Sequence, residues 1–174
     1  MSIKVHGLSY IHPNKDILFQ NISFSVSEGE KCAIVGNNGI GKSTLLSIIA
    51  GNTSAATGSV LCNTTPYIIP QHFGQFNSKT VAEALGVSDK LNALSSILGG
   101  NASMDDFAVL NDEWDIKERL QEAFARWGIG YVIPDMFMGD LSGGEKTKVF
   151  LAGMYFFHPS IILMDEPTNH LDIR

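Results

Sequence analysis

The feature that most limits what this chain can fold into is residues 36–44, Gly-Asn-Asn-Gly-Ile-Gly-Lys-Ser-Thr. They fit the pattern G-x-x-x-x-G-K-[ST]. Gly36, Gly41, Lys42 and Ser43 hold the fixed places, with Asn37, Asn38, Gly39 and Ile40 between them. The flanks predict strand, loop, helix. Ala33-Ile34-Val35 is an apolar, β-prone run, and Leu45, Leu46, Ile48 and Ile49 have helical spacing that stops at Gly51. Gly36, Gly39 and Gly41 lack a Cβ, so the loop can take positive φ and bring its N–H groups close to an anion. Those N–H groups converge at the positive end of the helix that begins at about Lys42-Ser43-Thr44. Lys42 adds a full charge that can reach β- and γ-phosphates, and the Ser43 hydroxyl is placed to ligate Mg²⁺. A glycine-rich turn that merely precedes a lysine is the plain alternative. The strand and helix on either side favour a nucleotide phosphate site.

Composition sets the frame for that site. The 174 residues are 44% hydrophobic and 17% charged, enough apolar content for one domain with a sizeable core. No run approaches the 18 apolar residues of a membrane span, and Met1-Ser2-Ile3-Lys4 opens no signal peptide. The net charge is −6, with no lysine/arginine block, which does not suggest a nucleic-acid binder. Cys32 and Cys62 have no metal or redox spacing. Cys32, in the apolar run before the loop, is expected to be a buried small hydrophobe. The chain reads as cytoplasmic.

Short β-like alternation covers residues 3–10 and 17–26, separated by the turn-rich His12-Pro13-Asn14-Lys15-Asp16. Two further short strands are predicted at 59–62 and 67–69. After residue 78 the character changes. Helices are predicted over 80–85, 88–98 and 112–127, with a helix start at Ser103-Met104-Asp105-Asp106. In the third, Ile116, Leu120, Ala123, Phe124 and Trp127 share a face.

Residues 161–166, Ile-Ile-Leu-Met-Asp-Glu, read as a buried strand with two carboxylates at its end. In open α/β sheets ligands sit at that end. Asp165 is a candidate Mg²⁺ ligand, and Glu166 a candidate to polarise the water that attacks a γ-phosphate. Residues 141–145 read Leu-Ser-Gly-Gly-Glu. Ser142-x-x-Glu145 is a capping box that starts a helix running to about Phe157, before Pro159. The same stretch resembles the signature of ABC-type ATPases, in which Ser142, Gly143, Gly144 and Glu145 would meet the γ-phosphate of an ATP held by a partner domain.

The resemblance covers essentially the whole chain and implies an α/β fold, a P-loop NTPase of ABC type with an antiparallel β-subdomain and a helical subdomain. It divides residues 1–174 into an α/β core with the β-subdomain (1–71 and 142–174) and a helical subdomain (72–141). By the same resemblance Gln71 matches the glutamine that contacts Mg²⁺ and the attacking water. Tyr10 matches the aromatic that stacks on adenine, and Leu171-Asp172 the D-loop. The reaction implied is Mg²⁺-dependent ATP hydrolysis, with Lys42, Gln71 and Glu166 catalytic. The run Glu166-Pro167-Thr168-Asn169-His170-Leu171-Asp172 looks like the ABC-F branch, whose members carry two ATPase domains on one polypeptide, and many of which act at the ribosome as translation or resistance factors. Glu145, where transporters commonly have glutamine, fits that branch. His170 is assigned a structural role, since no second metal ligand lies near it.

The partners implied are a second ABC ATPase domain and the ribosome. The competing readings are the ATP-binding subunit of a membrane transporter and a nucleotide-binding chain without turnover. None of the 5 histidines occupies the place of the family's switch histidine, so the expectation is a first domain truncated at its C-terminus. Its Asp-Glu strand and phosphate-loop strand would then lack the strand between them, leaving the chain marginal, swapped with another copy, or completed by another segment.

Overall fold

The alternation at the N-terminus becomes an antiparallel sheet. A computed structural model describes residues 2–166, so Pro167, His170 and the Leu171-Asp172 pair lie outside the described residues. Strand β1 (Ile3–Ile11) pairs with β2 (Ile17–Val26) on one edge and β3 (Thr57–Cys62) on the other, in the order β2-β1-β3. Ile3 and Val5 point into the core with period two, and then Leu8 does so instead of Gly7. The register shifts between Val5 and Leu8, where Gly7 takes φ 58. The bulge inserts one residue and so returns Leu8 to the buried face.

Helix α1 (Lys42–Ile49) follows the glycine loop and buries Leu45, Ile48 and Ile49. These pack with Ile3, Val5, Leu8, Ile161 and Leu163 in one cluster. Strand β4 (Tyr67–Ile69) pairs in parallel with β5 (Ile162–Met164). A parallel pair needs a crossover, and here the crossover is the helical part of the chain.

The chain divides into two compact units. One comprises the residues up to Pro70 with Pro159–Glu166, and the other Gln71–His158. The second unit contains α2 (Val81–Leu85), α3 (Ser88–Leu98), α4 (Met104–Leu110), α5 (Ile116–Arg126) and α6 (Gly143–Phe157). Three of their starts are capping boxes, Thr80 with Glu83, Ser103 with Asp106 and Ser142 with Glu145. Each box satisfies two of the N–H groups that a helix start leaves orphaned. Helix α5 buries Ile116, Leu120, Ala123 and Phe124, four of the five residues predicted to share a face, while Trp127 follows the helix as its C-cap and is half-buried. It packs on α6, where the Arg119 and Arg126 guanidinium carbons lie 4.7 and 4.6 Å from the Phe156 and Tyr155 ring centres. Among the described residues no helix is long and apolar enough to cross a membrane.

Two expectations are corrected. The helix expected from residue 112 begins at Ile116. Asn111 and Asp112 both take positive φ, 49 and 60, a conformation open to short polar side chains that stops helix propagation. The strand expected at 33–35, with Cys32 buried, is not formed. Residues 31–35 pair with no described strand, Cys32 is exposed and Val35 is 91% exposed. A strand exists only with a neighbour that takes up its N–H and C=O groups. Without one, the run stays solvated and its apolar side chains have no sheet face to cover.

Candidate nucleotide-binding site

The loop from Gly36 to Gly41 closes on itself. Ile40 donates its N–H to the Asn37 carbonyl at 3.4 Å. The Lys42 ammonium donates to the Gly36 carbonyl at 2.9 Å and to that of Asn37 at 3.2 Å. An ammonium has three N–H donors, so these two bonds shape the loop and leave one donor for an anion. Gly41 caps α1 with φ 105 and ψ 16 and no side-chain hydrogen bond, and Leu45 N–H closes the first helical turn on the Gly41 carbonyl at 2.9 Å. A Cβ on Gly41 would stand 2.8 Å from Leu18 Cδ2 and would push that side chain aside, and the φ of 105 is itself one that favours glycine. Ser43 and Thr44 lie in the first turn of α1, whose uncapped N–H groups face the loop side.

Beside the loop lies an apolar pocket of about 320 Å³, lined by Leu18, Phe19, Ile22, Ile34, Ile40, Gly41, Lys42 and Leu45. Tyr10 is not part of this lining. Its ring packs against Phe19 at 6.2 Å and edge-on to His12 at 5.4 Å.

Asp165 and Glu166 follow β5, but the strand is not buried throughout as expected: Leu163 is buried while Ile162 and Met164 are exposed. Asp165 follows β5 directly, and its N–H donates to the Ile69 carbonyl of β4 at 3.1 Å. Glu166 comes next with φ 46. A left-handed backbone at a side chain larger than Asn or Asp is stored strain, of the kind that gathers at functional sites. Gln71 opens the second unit, two residues after β4.

The N-terminus of α6 is held from both sides. Ser142 N–H donates to Glu145 Oε2 at 2.7 Å, and Glu145 N–H donates to Ser142 Oγ at 3.4 Å. The Tyr131 hydroxyl donates to Glu145 Oε1, so both carboxylate oxygens are engaged. The Ser142 side chain, then the Tyr131 hydroxyl, then the Ser142 N–H hold the Glu145 carboxyl down to about 2 from an ordinary 4.5. The same hydrogen bond to Glu145 is the main cause that raises the Tyr131 phenol. Gly143 and Gly144, the first residues of α6, leave their N–H groups free of intrahelical partners.

The family model described as ABC transporter matches residues 19–169. The chain is an ABC ATPase domain. ATP hydrolysis is the general activity of that family. The domain is 30% identical to the tylosin resistance ATP-binding protein TlrC of Streptomyces fradiae, over 99% of its own length and 35% of that protein's. It is 29% identical to ABC transporter F family member 3 of Arabidopsis thaliana, over 98% of its length and 21% of that protein's. Identity is again 29% to the energy-coupling factor transporter ATP-binding protein EcfA2 of Caldanaerobacter subterraneus, over 99% and 61%. A solved ATP-binding subunit of an ABC transporter superposes with TM-score 0.72 at 22% identity, over 99% of this chain and 69% of that one, which shows the fold. The domain thus spans about a third or less of two of these relatives and under two thirds of the third.

Two parts of the site escaped sequence reasoning. One is Tyr131, 14 residues before the glutamate it holds, with no periodicity to link them. The other is the Leu18, Phe19 and Ile22 wall, whose only sequence signal is the apolar content of β2.

Proposed function

We propose that this ABC ATPase domain is the ATP-binding and ATP-hydrolysing module of an ABC-F protein, a cytoplasmic factor with two such domains that acts on the ribosome in translation or antibiotic resistance. The observation that carries the nucleotide part is the closed glycine loop, with Lys42 tied to the Gly36 and Asn37 carbonyls and one ammonium proton to spare. In this reading residues Gly36 to Thr44 hold the phosphates and Tyr10 stacks on the adenine. Ser43, Gln71 and Asp165 would hold Mg²⁺. Their hydroxyl, amide and carboxylate oxygens are hard donors that suit it, and the ion would neutralise charge on the β- and γ-phosphates. Glu166 orients the attacking water, and the loop N–H groups with Lys42 stabilise charge on the transferred phosphoryl group. Ser142, Gly143, Gly144 and Glu145 face the nucleotide of the second ATPase domain.

The ribosomal part is supported by the Glu166-to-Asp172 run and by the likeness to an F family member and to a tylosin resistance protein. The likeness to EcfA2 favours the second reading, a transporter's ATP-binding subunit.

The test of nucleotide binding is a thermal melt with and without saturating Mg-ATP, with Lys42→Ala as control. Ligand at 100 times its Kd adds about 2.7 kcal/mol, or roughly 5–10 °C for a domain of this size. A shift of that order, lost in Lys42→Ala, supports the site, and no shift in the parent chain refutes it. Pelleting of the whole protein with ribosomes in Mg-ATP tests the finer claim. Absence from the ribosomal pellet, with recovery in a complex with membrane helices, would favour the transporter reading.

A further inference from the structure

Tyr131 stands on a turn that is pinned in place. Its neighbours Ile129 and Val132 are fully buried. Ile129 donates its N–H to the Phe124 carbonyl of α5 at 3.0 Å, and Val132 donates to the Ile129 carbonyl at 2.9 Å. The Gln121 amide of α5 donates to the Gly130 carbonyl. The tyrosine itself is 61% exposed, so its ring does not fill the core. What the turn delivers is a hydroxyl, to Glu145 Oε1.

The other end of that bond is fixed as well. Glu145 lies in the first turn of α6, where the Thr147 hydroxyl donates to the Gly143 carbonyl at 3.1 Å and the Lys146 ammonium to Asn77 Oδ1 at 2.9 Å. Lys146 thus has its partner in Asn77, and among the described residues no cation forms an ion pair with Glu145. The Glu145 carboxyl, held down to about 2, is ionised at neutral pH, and Lys148 supplies only the weakest of the attractions that hold it. Its charge is met by hydrogen bonds instead, from the Ser142 N–H on Oε2 and the Tyr131 hydroxyl on Oε1.

The position of that charge is what gives the tyrosine a task. The free N–H groups of Gly143 and Gly144 attract an anion, whereas a carboxylate in the same turn repels one. The repulsion grows when a second domain covers the turn and removes water from it. A carboxylate with both oxygens engaged is unable to rotate toward the ligand, and the bonds take up part of its charge. We infer that Tyr131 is a positioning residue for the composite site, which fixes the Glu145 carboxylate so that the Gly143-Gly144 turn can receive the γ-phosphate of the ATP held by the second domain. This inference rests on the proposed pairing of residues Ser142 to Glu145 with that nucleotide.

The test is a double-mutant cycle on the ATPase activity of the whole protein. Tyr131→Phe should lower kcat/KM for ATP about tenfold, the scale of one hydrogen bond to a charged group. Glu145→Gln keeps the capping box, which takes either residue, and removes the charge. In the Glu145→Gln background Tyr131→Phe should therefore change kcat/KM by less than about twofold, since a neutral acceptor gives the bond little to do. The Mg-ATP melting shift of the 174-residue chain, which reports its own phosphate loop, should be the same with Tyr131 and with Phe at that position. Equal losses in the two backgrounds would overturn the inference, because Tyr131 would then act through packing. A smaller melting shift in Tyr131→Phe would overturn it too, because the tyrosine would then act on this domain's own loop. Turnover that Tyr131→Phe leaves unchanged would sink this inference alone. A parent protein without ATP turnover would instead overturn the ATPase reading, and this inference with it.

Discussion

Gly41→Ala separates the two physical demands that the phosphate loop makes. The first is conformational. Gly41 sits at φ 105 and ψ 16, beyond the left-handed region that other L-residues reach, which costs at least the ~1–2 kcal/mol of ordinary left-handed backbone. The second is steric. The new Cβ would lie 2.8 and 2.9 Å from Leu18 Cδ2 and Cγ and 3.1 Å from Phe19 Cδ1. Overpacking of that kind adds ~1–3 kcal/mol. Gly41 also accepts the Leu45 N–H, and Leu45 is buried, so a shift of Gly41 pulls on the first turn of α1. Together the terms predict a loss of about 2–5 kcal/mol. Gly39→Ala is the internal control. Its φ is 82, but nothing lies within 4 Å of the added Cβ, so it carries only the conformational ~1–2 kcal/mol.

Urea denaturation at constant m measures both variants, and Mg-ATP melts report whether the site survives. Gly41→Ala should lose more stability than Gly39→Ala by at least about 1 kcal/mol, the lower bound of the steric cost. It should also give the smaller nucleotide-induced shift, since each 1.4 kcal/mol spent on restoring the loop weakens binding tenfold. Equal losses would refute the reasoning, because they would mean that the loop moves away from Leu18 without cost.

Phe124→Ala, at a fully buried site on α5, should cost ~3–5 kcal/mol in the same urea assay, and a loss under about 1 kcal/mol would mean that α5 does not organise the helical unit. Glu145 has a folded pKa of about 2 against an ordinary 4.5, so its contribution is fully present above pH 4.5 and is lost as the pH falls toward 2. Tyr131→Phe should move the Glu145 titration upward, so that the loss is smaller and is complete at a higher pH. Carboxyl ¹³C NMR checks this, and titration of the parent Glu145 near 4.5 would refute the clamp. Cys32 is exposed while Cys62 is half-buried, with burial raising its thiol pKa. A thiol reagent at pH 8 should therefore modify Cys32 first, and slower labelling of Cys32 would show that residues 31–35 are covered in solution.

What the sequence reveals and what it hides differ in range. The capping boxes Ser103/Asp106 and Ser142/Glu145 are written in four consecutive residues each, and the helices start where those residues say. Helix α3 spans Ser88–Leu98, as its pattern predicts, and the buried face of α5 follows from one helical period. The loop from Gly36 to Thr44 is legible for the same reason, since Lys42 finds its carbonyl partners five and six residues back. Relations between distant segments are not written this way. Residues 33–35 have the composition of a strand, yet a strand is a property of a pair, and nothing within those residues specifies the neighbour. Tyr131 and Glu145, or Leu18 and Gly41, meet only because separate elements are held together by packing.

The same division explains how a short motif can carry so much of the site. Its groups are bonded to one another, and α1 holds the loop's end through the buried Leu45, Ile48 and Ile49. The anion-binding geometry thus depends on one helix and its contact with the β2-β1-β3 sheet, rather than on a strand through residues 33–35. If that is correct, truncation of Ile48 to Ala should cost nucleotide affinity in Mg-ATP melts, although its side chain is buried beneath α1. A variant with lowered stability but an undiminished ATP-induced shift would instead show that the loop holds its shape alone.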